Sequence, residues 1–264
     1  MNKILLLILF LLLLIVGRKR GVKTFFTFLI CMLQIFIYIF FMRIGLNSIL
    51  WAFISCFIAS LFSLFFLNGY SKKTLSAFIG VIIVQVMMFI LIYIVCKRAG
   101  LGVFGEESLD TIGGYIFEIG YNMNDVLIGV LLVSVVGTVI DTSISIATAM
   151  NEVYENNPKI KDKELYKSGM NVGGDILSTT INTLFFALIS TSIGFFMWHR
   201  NMMIGDIINN KLFAEYAIQL LIAFIASVII IPITAYICSK MLASNRFDRI
   251  IKVFDKIHKD FKED

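Results

Sequence analysis

The chain has 264 residues, 59% of them hydrophobic, a mean hydropathy of +0.90 and only two prolines. A soluble domain of this length cannot bury that much apolar surface, and runs of about twenty apolar residues recur, each long enough to cross a ~30 Å hydrocarbon core. The net charge of +5 comes with no nucleic-acid motif, and no glycine loop that could cradle phosphates is present, so neither nucleic acid nor ATP is an expected ligand of this chain.

The first apolar run, 4–16, reaches only about 20 Å as a helix. Its basic cluster, "GRKRGVK", follows the run, whereas signal peptides place positive charge before it; the run reads as a short, uncleaved span. Further spans follow near 25–42, 48–67, 75–96, 126–150, 176–198 and 216–238. They are expected to be helices, because a lipid-exposed backbone must satisfy its polar groups internally. No even-spaced alternating strands occur, which excludes an outer-membrane barrel. The expected fold is all-α, a polytopic membrane bundle of about seven transmembrane helices over residues 1–242. A cytoplasmic amphipathic helix, 243–264, carries Phe247, Ile250, Phe254, Ile257 and Phe261 at helical spacing.

The first four spans contain few polar side chains, Gln85 excepted. Ser48, Ala52, Ser55, Ala59 and Ser63 form a small-residue stripe suited to close helix contact, within the chain or with a partner. Residues 97–123 break the apolar pattern and read as an outer surface or interfacial helix. Cys31, Cys56, Cys96 and Cys238 lie in or at the end of spans with no C-x-x-C pair, and His199 and His258 are isolated. No metal or other cofactor is expected.

The intramembrane polarity is concentrated in the fifth and sixth spans. Ser134, Thr138, Asp141, Ser145, Thr148 and Glu152 recur at steps of three and four in "GTVIDTSISIATAMNEV" and its approach, and so share one helix face. Asp175, Thr179 and Asn182, flanked by Ser178 and Thr183, form a second stripe in "GGDILSTTINTLFF". Hydroxyls at such spacing often serve only to bring helices together. An aspartate near a helix centre costs roughly 2.5–3.5 kcal/mol to insert, and serine would pack at no such cost. A carboxyl in a dehydrated bundle holds its proton more tightly and suits a proton relay. Counted from the ends of the apolar runs, Glu152 and Asp175 lie at the cytoplasmic mouth and Asp141, Asn182 and Thr183 near midplane. Asn182 and Thr183 are expected to hydrogen-bond Asp141, and Asp175 reads equally as an N-terminal helix cap.

These motifs, with "LYKSGMNVGGDILSTTINTLFFALIS", "IINNKLFAEY" and "IPITAYI", resemble the YibE/F family of bacterial membrane proteins, specifically its YibF-type half. The chain departs from that pattern at Gly174, where the family usually has arginine, and at Leu177, where it often has glycine. The resemblance implies a YibE-type partner chain in a heterodimer in the bacterial inner membrane. More distantly, the aspartate motif is similar to those of SecD and SecF, in the resistance-nodulation-division superfamily, whose members couple proton movement to transport through intramembrane carboxylates. The expected function is a proton-coupled secondary-transport subunit, not an enzyme. The competing readings are a structural or assembly-assisting subunit and an intramembrane aspartyl protease. The protease reading suffers from Val172 in the place of a motif glycine, from the absence of a P-A-L run ("IPITA" is nearest), and from carboxylates counted about 10 Å apart in depth.

With the N-terminus outside and the C-terminus cytoplasmic, 17 of the 23 basic residues face inward, as the positive-inside rule requires. Cysteine-accessibility labelling is expected to place Lys163 inside and Glu107 outside; both on one side would refute this topology.

Overall fold

The computed structural model describes residues 2–99, 123–198 and 203–243. Among them the chain is helical and has no strand. Its elements are α1 (Asn2–Arg43), α2 (Ser48–Leu61), which runs on into a wider π turn at Phe62–Phe66, α3 (Lys72–Ala99), α4 (Met123–Asn156), α5 (Asp162–Trp198), the short α6 (Ile204–Asn209) and α7 (Lys211–Ala243). The all-α polytopic bundle is thus observed. The segment expected to lie at the outer surface, from residue 100 on, and the expected amphipathic helix, from residue 244 on, fall outside the described residues.

Six of these helices are long and apolar enough to cross a membrane, against the seven spans expected. The difference lies in α1, whose helical run is broken at Arg18 (φ 45°, ψ −124°). A positive φ is unfavourable for a side chain of this size. Beyond Arg18 the chain folds back: a Cβ at Gly21 would overlap the carbonyl oxygen of Leu13, and the Phe10 and Phe25 rings meet edge to face at 4.8 Å. A straight helix would hold those two residues about 22 Å apart. The basic "GRKRGVK" stretch is therefore the turn of a helical hairpin, and the glycine at position 21 allows its two arms to touch.

The core is built where α3, α4 and α7 cross. The buried Ser143 hydroxyl of α4 donates to the Ala77 carbonyl of α3 at 3.1 Å and pairs with the Thr234 hydroxyl of α7 at 3.0 Å. Gly80 of α3 sits against the same threonine, 2.9 Å from its hydroxyl to where a Cβ would be. Ser76 and Ala235, the neighbours of Ala77 and Thr234 in the chain, are buried as well. Small residues let helix backbones approach closely, and in lipid such packing, rather than a hydrophobic drive, holds helices together. Larger side chains fill the half away from the α4–α5 turn: Val84, Met88 and Ile92 of α3 with Leu131 and Val135 of α4 and Ile222 of α7.

The small-residue stripe of α2 is taken up inside the chain. Ser48 pairs with the Tyr38 hydroxyl at 3.0 Å and reaches the Asp125 carbonyl at 3.4 Å. Ala52 packs on Gly129, and the Gln34 amide donates to the Ser55 hydroxyl at 2.9 Å and to its carbonyl. That stripe therefore offers little to a partner. Gln85 is also satisfied internally, donating to the Phe53 carbonyl at 3.4 Å.

The hairpin in α1 makes a direct expectation. With cysteines at Phe10 and Phe25, a short bifunctional maleimide should join the two sites within one chain; a continuous helix would leave them unlinked.

Candidate functional site: an open polar face on α4 and α5

Helix α5 begins at Asp162, only a five-residue turn after α4 ends at Asn156. The loop expected between the two spans is mostly helix. Asp175 consequently lies in the interior of α5 and caps nothing, which removes its N-terminal-cap reading.

The register of the two helices follows from their contacts. Gly169 of α5 abuts Met150 of α4, and Leu184 of α5 lines the same cavity as Ser134 of α4. Residues at equal depth therefore have numbers that sum to about the same value. Asp141 stands 15 residues before the end of α4, and Asp175 stands 13 after the start of α5. Both are roughly 20 Å from the turn. The expected depth difference between them is not found, because the apolar run was mistaken for the whole helix. Leu177 and Ser178 are level with Asp141, while Asn182 and Thr183 lie about 7 Å nearer the far end. Glu152 is close to the turn, at the level of Tyr166.

None of these groups forms a closed site within the chain. Asp141 is exposed; it lies two residues, and so about 200° around the helix, from the buried Val139 and from the buried Ser143. Glu152 is exposed and Thr138, Ser145 and Thr148 are half-buried, so the α4 stripe runs along the outside of the bundle. On α5, Asp175, Ser178, Thr179, Asn182 and Thr183 are all exposed. Asp175 and Asn182 lie about 180° and 200° from Leu184, which faces the bundle. The hydroxyls are turned back on their own helix: Ser178 donates to Gly174, Thr179 to Ile176 and Thr183 to Thr179. The structure does not join Asp141 to Asn182, Thr183 or Asp175. Among the described residues, no group of histidine, cysteine or acidic side chains could hold a metal ion.

This exposure follows from how α5 packs. Gly169 lies against Ala235 of α7 as well as Met150, and a Cβ at Gly173 would overlap the Ile231 side chain of α7. The two glycines, four apart, seat one edge of α5 on the bundle. Only 6% of its most apolar stretch is buried, against 44% in α4 and in α7. The end of α5 next to the turn is further tied by Lys240 of α7 to Asp162 at 3.1 Å, an exposed pair that contributes at most about 1 kcal/mol. Gly137 and Gly174 have nothing within 4 Å of a would-be Cβ, so small residues on this open face leave room beside the carboxylates.

A family model described as YibE/F-like protein matches residues 5–244, nearly the whole described chain. The protein belongs to the YibE/F-like family. No curated protein and no solved structure matches it.

Sequence reasoning passed over one part of this YibE/F-like chain. Tyr216 and Gln219, in the first turns of α7, line a cavity of about 180 Å³ together with Ser134 of α4 and Thr191 of α5. A glutamine one turn after a tyrosine in an apolar span was the available signal.

The two adjacent glycines of α5 should respond differently to enlargement. Gly173→Leu drives a side chain into Ile231 and should cost about 1–3 kcal/mol, read as a lower thermal midpoint in detergent. Gly174→Leu enters open space and should change that midpoint little. Equal responses would refute the packing described.

Proposed function

We propose that this chain is the membrane subunit of a proton-coupled secondary transporter of the bacterial inner membrane, that Asp141 carries the proton, and that a YibE-type chain covers the polar face of α4 and α5. The observation that carries this reading is Asp141 itself: a carboxylate near the middle of a membrane helix, pointing out of the bundle, with no hydrogen bond or ion pair among the described residues. Left against lipid, each such acid would cost roughly 2.5–3.5 kcal/mol by insertion scales, and Asp175 and Asn182 would add to it. A second polypeptide seated on this face supplies hydrogen-bonding groups and excludes lipid. Membrane carboxylates of this kind mark ion and proton pathways.

The partner then completes the site. Asp141 has Ser178 level with it on α5, and the open positions at Gly137 and Gly174 leave room for a side chain from the facing subunit. In this arrangement Asn182 and Thr183 lie toward the far end and Glu152 toward the turn end, which the topology puts in the cytoplasm. The groups are strung along the membrane normal, as a proton path requires. A protease would need its two carboxylates within a few ångströms to share a proton; depth no longer separates Asp141 from Asp175, but no hydrogen bond joins them. A purely structural subunit has no use for a costly acid on its open face.

Asp141→Asn keeps the side chain's shape and hydrogen bonding but cannot exchange a proton. Reconstituted in liposomes with the YibE-type partner, the variant should insert and co-purify normally yet lose gradient-driven proton flux, and Asp141→Glu should keep part of it. Unchanged flux in a well-inserted Asp141→Asn complex would overturn the relay.

A further inference from the structure

The cavity between α4, α5 and α7 lies in the half of the bundle away from the α4–α5 turn. Its polar groups come from three helices: Ser134, Thr191, and Tyr216 with Gln219. Two of them are already occupied. Ser134 donates to the Leu131 carbonyl at 2.8 Å, and Thr191 to the Leu188 carbonyl at 2.9 Å; each hydroxyl oxygen can still accept. The Tyr216 hydroxyl and the Gln219 amide have no hydrogen bond among the described residues. A glutamine amide offers two N–H donors and an acceptor oxygen, and at the half-buried Gln219 they line the cavity without a protein partner among the described residues. The α7 helix nevertheless turns this side chain toward its neighbours, while Leu221, two residues on, is 56% exposed on the outer face.

The size of the cavity narrows what can fill it. Pockets for drug-sized ligands are about 300–1,000 Å³, and this one is about 180 Å³. At ~30 Å³ per molecule it holds about six waters, each of which needs two to four polar partners. The lining supplies them and carries no charged side chain, so an ion has no fixed counter-charge there. Ser134 is also the first member of the α4 stripe. Thr138 follows one turn deeper, and Asp141 the next, all on one face of the helix.

We propose that this cavity is a hydrated vestibule through which water reaches the α4 stripe from the far side of the membrane, with Tyr216 and Gln219 as the groups that hold the water. The proposal rests on the proton-relay reading for what the water is for; that the cavity is wet can be tested without it. Gln219 would then be a positioning residue: it holds water in line with Ser134 and Thr138 and takes no proton itself.

Thiol accessibility decides the matter, because methanethiosulfonate reagents attack the thiolate, which forms in water and not in hydrocarbon. Single cysteines at Gln219, Thr191 and Thr138 would be labelled in the intact complex with a membrane-impermeant reagent applied from the side opposite the α4–α5 turn. Leu221→Cys serves as the lipid-facing control and the native cysteines as background. Labelling at Gln219 and Thr191 should be roughly tenfold or more faster than at Leu221, with Thr138 slower than both. If Gln219→Cys does not insert, Thr191→Cys carries the comparison alone. Rates at Gln219 and Thr191 no faster than at Leu221 would overturn the vestibule, and would mean a cavity filled by lipid or by a partner side chain. In the same complex, Gln219→Leu should lower proton flux severalfold while Gln219→Asn keeps most of it; equal flux in all three would refute the positioning role. Loss of the relay reading through an active Asp141→Asn would leave the labelling pattern unchanged, so the two failures are distinguishable.

Discussion

The crossing of α3, α4 and α7 at Ala77, Gly80, Ser143 and Thr234 sets the rest of the bundle. Three long helices can meet there because the residues at the crossing are alanine, glycine, serine and threonine, and the two buried hydroxyls satisfy each other and a backbone carbonyl. Close approach of backbones is the main source of helix association where the solvent is as apolar as the side chains. Once these three helices fill the centre, the remaining ones must pack around them. α2 does so through its small-residue stripe, and α5 along one edge that carries Leu165, Gly169 and Gly173.

That peripheral seat of α5 gives the chain its functional character. A helix buried on one narrow edge leaves most of its circumference outward, and α5 is polar there: Asp175, Ser178, Thr179, Asn182 and Thr183. The stripe of α4 runs along the same exterior, with Asp141 at the level of Ser178. A water-soluble protein would leave such a face to solvent. A membrane protein cannot do so at little cost, and that cost is what supports the proposed second subunit.

The two polar regions of the chain differ in kind. The open face carries acids, whereas the cavity bounded by Ser134, Thr191, Tyr216 and Gln219 has an uncharged lining built by three helices of one chain. They share only the α4 stripe, which passes from the cavity at Ser134 to the open carboxylate at Asp141. In the proposed relay, a neutral hydrogen-bonding approach leading to Asp141 would separate the supply of water from the site of proton binding.

The sequence by itself determined the membrane class, the helical architecture, the family and the faces on which the polar residues fall. All of these depend on length, hydropathy and a 3.6-residue period, which are local properties. It also marked the basic "GRKRGVK" stretch as a turn, because a cluster of basic side chains is too costly to hold within a span. What it did not determine were depths and directions. Asp175 looked like a cap because the apolar run starts near it, but the helix begins 13 residues earlier, at Asp162, where charged residues continue the helix beyond the hydrocarbon. The α4 and α5 stripes looked like the walls of one internal path. Only the tertiary structure showed them facing outward, because the crossing of α3, α4 and α7 had already taken the interior. Which face of a helix is buried depends on the shapes of all its neighbours at once, and no pattern within a single span contains that information.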